Sequence, residues 1–420
     1  MEPSRTVISP LLYLRICNMC DSLLLPGLKA IYIPDHNPID FYSIMLLVSR
    51  ASLDVVELNN IAISERNFFI PFLSSLASKS PQLVHLALRG SGNISLEPVY
   101  RLTSLQRLEI RFPGTYLYPQ TLRRLGNLNN LVDLTLDVGA SIPGPAIDVQ
   151  RPTPISSYFG MLKRLHIIGI PSSITRVLDD IKLASLTVLV IDETSDNSGS
   201  HTKSFWMRCF NQISMCQAIE DIEINQLRHR NWGHDNYSLS TSWFFSLSNS
   251  LKSLVITGAA LSGSDEDFHR LACGFPKLKK LIVPSESYSQ GRTLASLFYF
   301  SQYCPDLCEI KICLGFDILK NLDAVKRLRP VNPQHQLQKL YINSKFGQIQ
   351  PTHTFQVAQF LDLLFPNLSI LETYDSNTTE TSNWTGIQEI RVAVKANRIK
   401  AFQQPMSLME SDTAGMESEI

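Results

Sequence analysis

Apolar residues return along this chain as a fixed triplet: one at a reference position, one three residues later and one five residues later. The clearest copy is Pro276-Lys277-Leu278-Lys279-Lys280-Leu281-Ile282-Val283. Units of this kind begin at Leu28, Leu53, Leu83, Leu105, Leu131, Leu162, Leu186, Ile219, Leu251, Leu278, Leu307 and Leu337. Two weaker ones begin at Leu368, where Thr373 takes the third apolar place, and at Ile387, followed by Ile390 and Val392. The mean interval is about 28 residues, a spacing that marks structural repeats. Side chains alternate along an extended strand, so the positions at +3 and +5 share one face, which is the candidate core. Positions +2, +4 and +6 point the other way.

Between the units lie segments that read as helices: Phe68 to Lys79, Ser172 to Ala184, Asp265 to Cys273, Thr293 to Tyr303, Leu319 to Leu328 and His353 to Leu364. Pro81, Pro276, Pro305 and Pro366 each stand two residues before a reference leucine. Proline cannot continue a helix and biases the residue before it toward extended geometry, so each marks a stop between helix and strand. Stacked strands of this kind pair in parallel, and each needs a crossover back.

The Leu-x-x-Leu-x-Leu pattern, repeated from Leu28 to Ile387, resembles the leucine-rich repeat family over nearly the whole chain. The resemblance implies an α/β solenoid of horseshoe form. Parallel strands would line the concave face, with helices and irregular loops on the convex face. The expected organisation is one solenoid over residues 1–400, of about 14 units, followed by a disordered polar and acidic tail over 401–420. The family's Asn or Cys at +8 is missing: that place holds Ser91, Pro113, Gly139, Thr194, Gly315 or Ser376. Irregular turns are therefore expected.

At 420 residues the chain is long for a single core, a limit that a solenoid avoids because each unit touches only its neighbours. Formal net charge is zero, which removes a global pull toward nucleic acid or acidic membrane. No run reaches the roughly 18 apolar residues of a membrane span. No secretory leader is recognisable, since Pro10 and Arg15 interrupt the apolar stretch from Val7 to Cys20. A cytoplasmic or nuclear location follows. The eight cysteines are scattered, and Cys17-x-x-Cys20 has no second pair, so they read as reduced thiols rather than metal ligands. Residues 1–27 read as the tail of a unit rather than a polar cap, so either an N-terminal module has been lost or something else covers this end.

Three insertions interrupt the units: Gly139 to Ser157, Asp192 to Ser204 and Leu227 to Ser242. The third holds His229, Arg230, Trp232, His234 and Tyr237 and reads as a surface loop, its aromatic residues suited to partner contact. Phosphate-cradling glycine loops and Gly-x-Ser-x-Gly are not found. No catalytic, cofactor-binding or metal-binding residue is expected, and the chain reads as not an enzyme.

What remains is the outward strand face. Its candidate partner-binding residues are Arg107, Arg111, Asp133, Asp137, Arg164, His166, Asp221, Glu223, Lys280, Lys311 and Tyr341. The signs fall in bands: basic at Arg107/Arg111, acidic at Asp133/Asp137, basic at Arg164/His166, acidic at Asp192 and Asp221/Glu223. Neighbouring opposite charges either pair with one another or set the register of a bound protein. A mixed-sign face is unsuited to nucleic acid.

Ser80-Pro81-Gln82-Leu83, Phe275-Pro276-Lys277-Leu278, Cys304-Pro305-Asp306-Leu307 and Phe365-Pro366-Asn367-Leu368 resemble the Cys-Pro-x-Leu-x-x-Leu units of F-box leucine-rich repeat proteins. The irregular period, the helical connectors and Leu25-Pro26-Gly27-Leu28-Lys29 at the first unit are similar to the fungal group. The resemblance implies a substrate-recognition arm of a cullin-type ubiquitin ligase. In that family a separate helical F-box docks on the ligase adaptor; its Leu-Pro-x-Glu opening is not visible in this chain. The alternative is a stand-alone scaffold, inhibitor or sensor module unconnected to ubiquitination.

Overall fold

The computed structural model describes Met19 and residues 27–33, 52–61, 66–92, 94–113, 119–139, 159–181, 184–194, 202–227, 238–284, 292–314, 335–344, 351–373 and 378–403. The expected helix from Leu319 to Leu328, residues 140–157 of the first insertion, the loop residues His229 to Tyr237, the Cys17/Cys20 pair and the tail from 404 onward lie outside the described residues.

Thirteen strands follow the repeat. They are β1 (Ala30–Ile33), β2 (Val55–Ile61), β3 (His85–Gly90), β4 (Arg107–Arg111), β5 (Asp133–Asp137), β6 (Arg164–Gly169), β7 (Val188–Thr194), β8 (Asp221–Leu227), β9 (Ser253–Thr257), β10 (Lys280–Val283), β11 (Glu309–Leu314), β12 (Lys339–Ser344) and β13 (Ile370–Glu372). Two short strands, Ser238–Ser240 and Ala260–Ser262, stand outside this series. The helices are α1 (Arg66–Lys79), α2 (Pro119–Gly126), α3 (Pro171–Asp180), α4 (Thr202–Ile213), α5 (Asp265–Gly274), α6 (Leu294–Tyr303), α7 (Pro351–Leu364) and α8 (Thr378–Gln403). Parallel strands in chain order, with helices between them, make this an α/β leucine-rich-repeat solenoid.

The chain divides into two compact units, and the division runs through β9. The first comprises residues 1–239, 246–251 and 256–259; the second comprises 240–245, 252–255 and 260–420. In the first unit β1 to β8 pair in parallel in sequence order. The +3 residues Ile31, Val56, Leu86, Leu108, Leu134, Leu165, Leu189 and Ile222 are register partners from strand to strand. All are buried. In the second unit Leu254, Leu281, Ile310, Leu340 and Leu371 form the corresponding buried row. A one-residue slip would turn every one of these side chains to the other face, so burial of the row fixes the register.

A tight turn precedes many of the strands. The N–H of the reference residue donates to the carbonyl three residues earlier: Leu83 to Ser80, Leu131 to Leu128, Leu278 to Phe275, Leu307 to Cys304 and Leu368 to Phe365. Pro81, Pro276, Pro305 and Pro366 take the second place of such turns, where a φ fixed near −65° is favoured. They also end the helices: α1, α5, α6 and α7 stop at Lys79, Gly274, Tyr303 and Leu364, each two residues earlier. The next carbonyl along, at +1, then accepts from two N–H groups of the following unit. Asp54 accepts from Val84 and His85, Val84 from Gln106 and Arg107, and Lys279 from Cys308 and Glu309.

One turn is closed by a side chain instead. His335 is fully buried, and its Nδ1 accepts the Leu337 N–H at 3.1 Å. The proton therefore sits on Nε2, which donates to the Cys304 carbonyl at 2.9 Å. Burial lowers the His335 pKa, against the opposing pull of the Cys304 and Phe300 carbonyls and of Asp306. Because the folded value lies below the unfolded one, this group's contribution is complete above about pH 6.5 and is lost as pH falls below it. The expected slope is up to about 1.4 kcal/mol per pH unit, until the folded pKa is reached. Urea unfolding across that range should show the slope, and His335→Leu should flatten it.

β2 leaves register between Leu58 and Ile61, with Asn60 at φ 56°. Ile61 then faces Gly90 so closely that a methyl group at Gly90 would overlap the Ile61 carbonyl oxygen and press on the Phe112 ring at 2.8 Å. Gly90→Ala should cost about 1–3 kcal/mol of stability, read by thermal or urea unfolding, because backbone must move to admit it.

Two sequence expectations are corrected. The unit at Ile387 is not a strand: it lies inside α8, where Trp384, Ile387 and Arg391 are buried and Val392 is exposed. The polar segment Asp192 to Ser204 is not one loop, since Asp192, Glu193 and Thr194 complete β7 and α4 begins at Thr202. α2 and α4 add helices that the pattern of prolines does not announce. Among the described residues no helix is long and apolar enough to cross a membrane.

Candidate interaction surface

The residues at +2, +4 and +6 stand on the strand face opposite the leucine row. In the first unit this places Arg107 and Arg111 on β4, Asp133 and Asp137 on β5, Arg164 and His166 on β6, and Asp221 and Glu223 on β8. Register aligns Arg107 with Asp133 and Asp133 with Arg164, while Arg111 faces Asp137. The expected bands of alternating sign therefore exist as neighbours in space.

Side-chain contacts then select particular partners. Glu109, between the two arginines of β4, is the hub. Its carboxylate accepts from Arg89 on β3 through both oxygens, Nε at 2.6 Å and Nη2 at 2.8 Å, and it pairs with Arg111 Nε at 2.5 Å. Arg89 also donates to Asn59 Oδ1 on β2 at 2.9 Å. Burial alone would push the Glu109 carboxyl up, but the Arg89 hydrogen bond and the charges of Arg111, Arg89 and His85 hold it below its ordinary value. A forked pair of this kind fixes both side chains in a defined orientation. Arg164, by contrast, reaches Asp133 at only 4.0 Å, with both side chains part-exposed, an arrangement worth about 0–1 kcal/mol.

A second polar line runs from β6 to β9. His166 Nε2 meets Asp192 Oδ2 at 2.8 Å. The other Asp192 oxygen accepts from Asn225 at 2.9 Å, and Asn225 also donates to Glu223 at 2.9 Å. Thr257 donates to Asn225 Oδ1 at 2.5 Å. The His166 hydrogen bond, more than any other contact, holds the Asp192 carboxyl below its usual range. Asp137 goes the other way: burial raises it, despite the Gly139 N–H that its carboxylate accepts and the Arg111 charge. On the same face Tyr32 of β1 is 63% exposed, in register with Glu57, which pairs with His85 at 3.7 Å.

Arg89, Glu109, Asp192 and Asn225 are thus the residues that organise this face, and none was among the candidate partner-binding residues. Their +4 and +6 positions carry the signal; the choice of partner does not show in the pattern. In the second unit Lys280 stands on β10, Lys311 on β11 and Tyr341 on β12, with Lys311 and Tyr341 in register.

Among the described residues the thiols form no disulfide. Cys209, Cys216, Cys273, Cys304, Cys308 and Cys313 are all free. Burial pushes Cys209 and Cys304 up to about 12 and Cys216 up to about 11, which keeps these thiols protonated at neutral pH. Among the described residues no group of three or more His, Cys, Asp or Glu side chains comes together as a metal site.

Comparison with protein families and with curated proteins finds no match. Solved structures do align. An internalin from Listeria monocytogenes is 15% identical, with a TM-score of 0.39, over 80% of this chain and 83% of its own. The leucine-rich-repeat ectodomain of the Arabidopsis receptor kinase HAESA, solved with an N-terminally extended IDA peptide hormone ligand, is 15% identical, with a TM-score of 0.35. That alignment spans 83% of this chain and 52% of the ectodomain.

Proposed function

We propose that this chain is a non-catalytic protein-recognition module that holds a target protein on the outward strand face. The observation that carries the reading is the Glu109 hub: ionised groups from two adjacent strands, braced by the Asn59 amide on a third, are held in fixed geometry at a part-exposed surface. Charges ordered in advance favour one partner and penalise like-charged ones. The test is a photo-crosslinking side chain placed at Arg107 on this face or at Arg176 on α3, in the full chain inside cells. A discrete protein adduct from position 107 and none from position 176 is expected. Equal labelling, or no adduct from position 107, would overturn the proposal.

In the finer reading the bound protein is a substrate, and the chain is the recognition arm of an F-box-type cullin ubiquitin ligase. The Pro-x-Leu units support it, since Pro81, Pro276, Pro305 and Pro366 all occupy equivalent turns. Free thiols support a reducing compartment, the cytoplasm or nucleus. Co-purification of the ligase adaptor and its cullin with the folded chain tests it, and their absence would leave a stand-alone scaffold or inhibitor.

A further inference from the structure

The second unit's strand face differs from the first in how its charges are used. In the first unit Glu109, Asp133 and Asp192 each engage a cation or imidazole on a neighbouring strand. In the second, Lys280, Glu309 and Lys339 are successive register partners on β10, β11 and β12. Among the described residues Glu309 forms no ion pair with either lysine. One row further along the strands come Val255, Ile282, Lys311 and Tyr341, again register partners in succession. Val255, Ile282 and Tyr341 are each half-buried. Three lysines on three adjacent strands thus surround a single carboxylate, beside an apolar step made by Val255 and Ile282. Glu372, the next register partner after Tyr341, marks the acidic margin.

We infer that this patch binds an extended acidic segment of a partner protein. The inference rests on the recognition reading above and adds to it a second contact, with a stated partner chemistry. Same-face side chains of an extended chain repeat about every 6.7 Å, which is also the offset between the Lys280/Lys339 row and the Lys311 row. Carboxylates two residues apart on the partner can therefore meet a lysine in each row. An apolar side chain beyond them seats on Val255 and Ile282, where the aliphatic lysine stems add further apolar surface. Lysine, a flexible point charge rather than a planar fork, suits carboxylates presented at varying angles.

The experiment selects peptides from a random phage-displayed library on the intact chain. Enriched peptides should carry at least two Asp or Glu residues at alternate positions with a neighbouring apolar residue. Binding of a synthetic enriched peptide should weaken as ionic strength rises from about 0.05 to about 0.5 M. Combined Lys280→Glu, Lys311→Glu and Lys339→Glu should weaken it by at least about tenfold. The corresponding triple alanine variant, with an unchanged melting curve, should lose part of the affinity, and Arg107→Glu in the first unit should lose none. Enriched peptides without acidic bias, or acidic peptides indifferent to the lysine changes, would overturn the inference while leaving a crosslinked target at position 107 unexplained by it. No enriched peptide, or lysine-dependent binding of a labelled single-stranded RNA in place of peptides, would also overturn it.

Discussion

Leu165→Ala should destabilise the protein by about 2–5 kcal/mol, while Arg164→Ala, one residue away, should change stability by less than about 1 kcal/mol. Leu165 is fully buried in the +3 row between Leu134 and Leu189, so truncation leaves a cavity walled on both sides by strands that cannot close over it. Arg164 points to the other face, and its contact with Asp133 is long and part-exposed. Urea unfolding of both variants decides the matter. Equal losses would mean that the assignment of the two strand faces is wrong.

The second large effect is expected at the C-terminal helix. Arg391 is 3% exposed, and its Nη2 donates to the carbonyls of Phe365 and Leu368, at 3.4 and 3.3 Å, in the turn before β13. Its Nη1 donates to Gln388 at 2.7 Å. Arg391→Ala removes the cation and takes the donor from the buried Leu368 carbonyl, at about 1–3 kcal/mol, while the Phe365 carbonyl keeps only the Leu368 N–H. A loss of roughly 3 kcal/mol or more is expected, with faster amide exchange at Leu371 than in the parent protein. Val392→Lys, on the exposed side of the same helix, should change neither quantity. If Arg391→Ala left the exchange of Leu371 unchanged, α8 would not be what closes that end of the second unit.

The strands were legible because a triplet at +0, +3 and +5 has one physical meaning when it recurs in register. α1 and α5 to α7 were legible from apolar segments ended by proline. α8 was misread at Ile387 because Ile387 and Ile390 fit a strand triplet as well as a helix turn. The stripe Trp384, Ile387 and Arg391, at intervals of three and four, is the helical signal, and a charged residue completes it. α4 carries a cleaner stripe in Trp206, Cys209, Phe210 and Ile213, all buried, but a polar run stands in front of it. Among the described side chains of α2 only Leu122 and Leu125 are buried, too little for a period to show.

The surface was half legible. Alternation identifies which residues face outward, and every candidate on the strands does. It does not say which partner each takes. Arg111 faces Asp137 by register yet pairs with Glu109, two residues back on its own strand. That choice depends on side-chain reach and on competition from Arg89, neither of which leaves a periodic trace.

The doubly accepting carbonyl at the start of each strand has an evolutionary corollary. Asp54, Val84, Gln106 and Val132 each hold the next unit by two N–H groups, always from the same place in the unit. Deleting a few residues from one strand would misalign all later ones, whereas gain or loss of a complete module would rejoin equivalent atoms. Descent within such an architecture should proceed by duplication and excision of whole coils, with gradual length change confined to the crossovers.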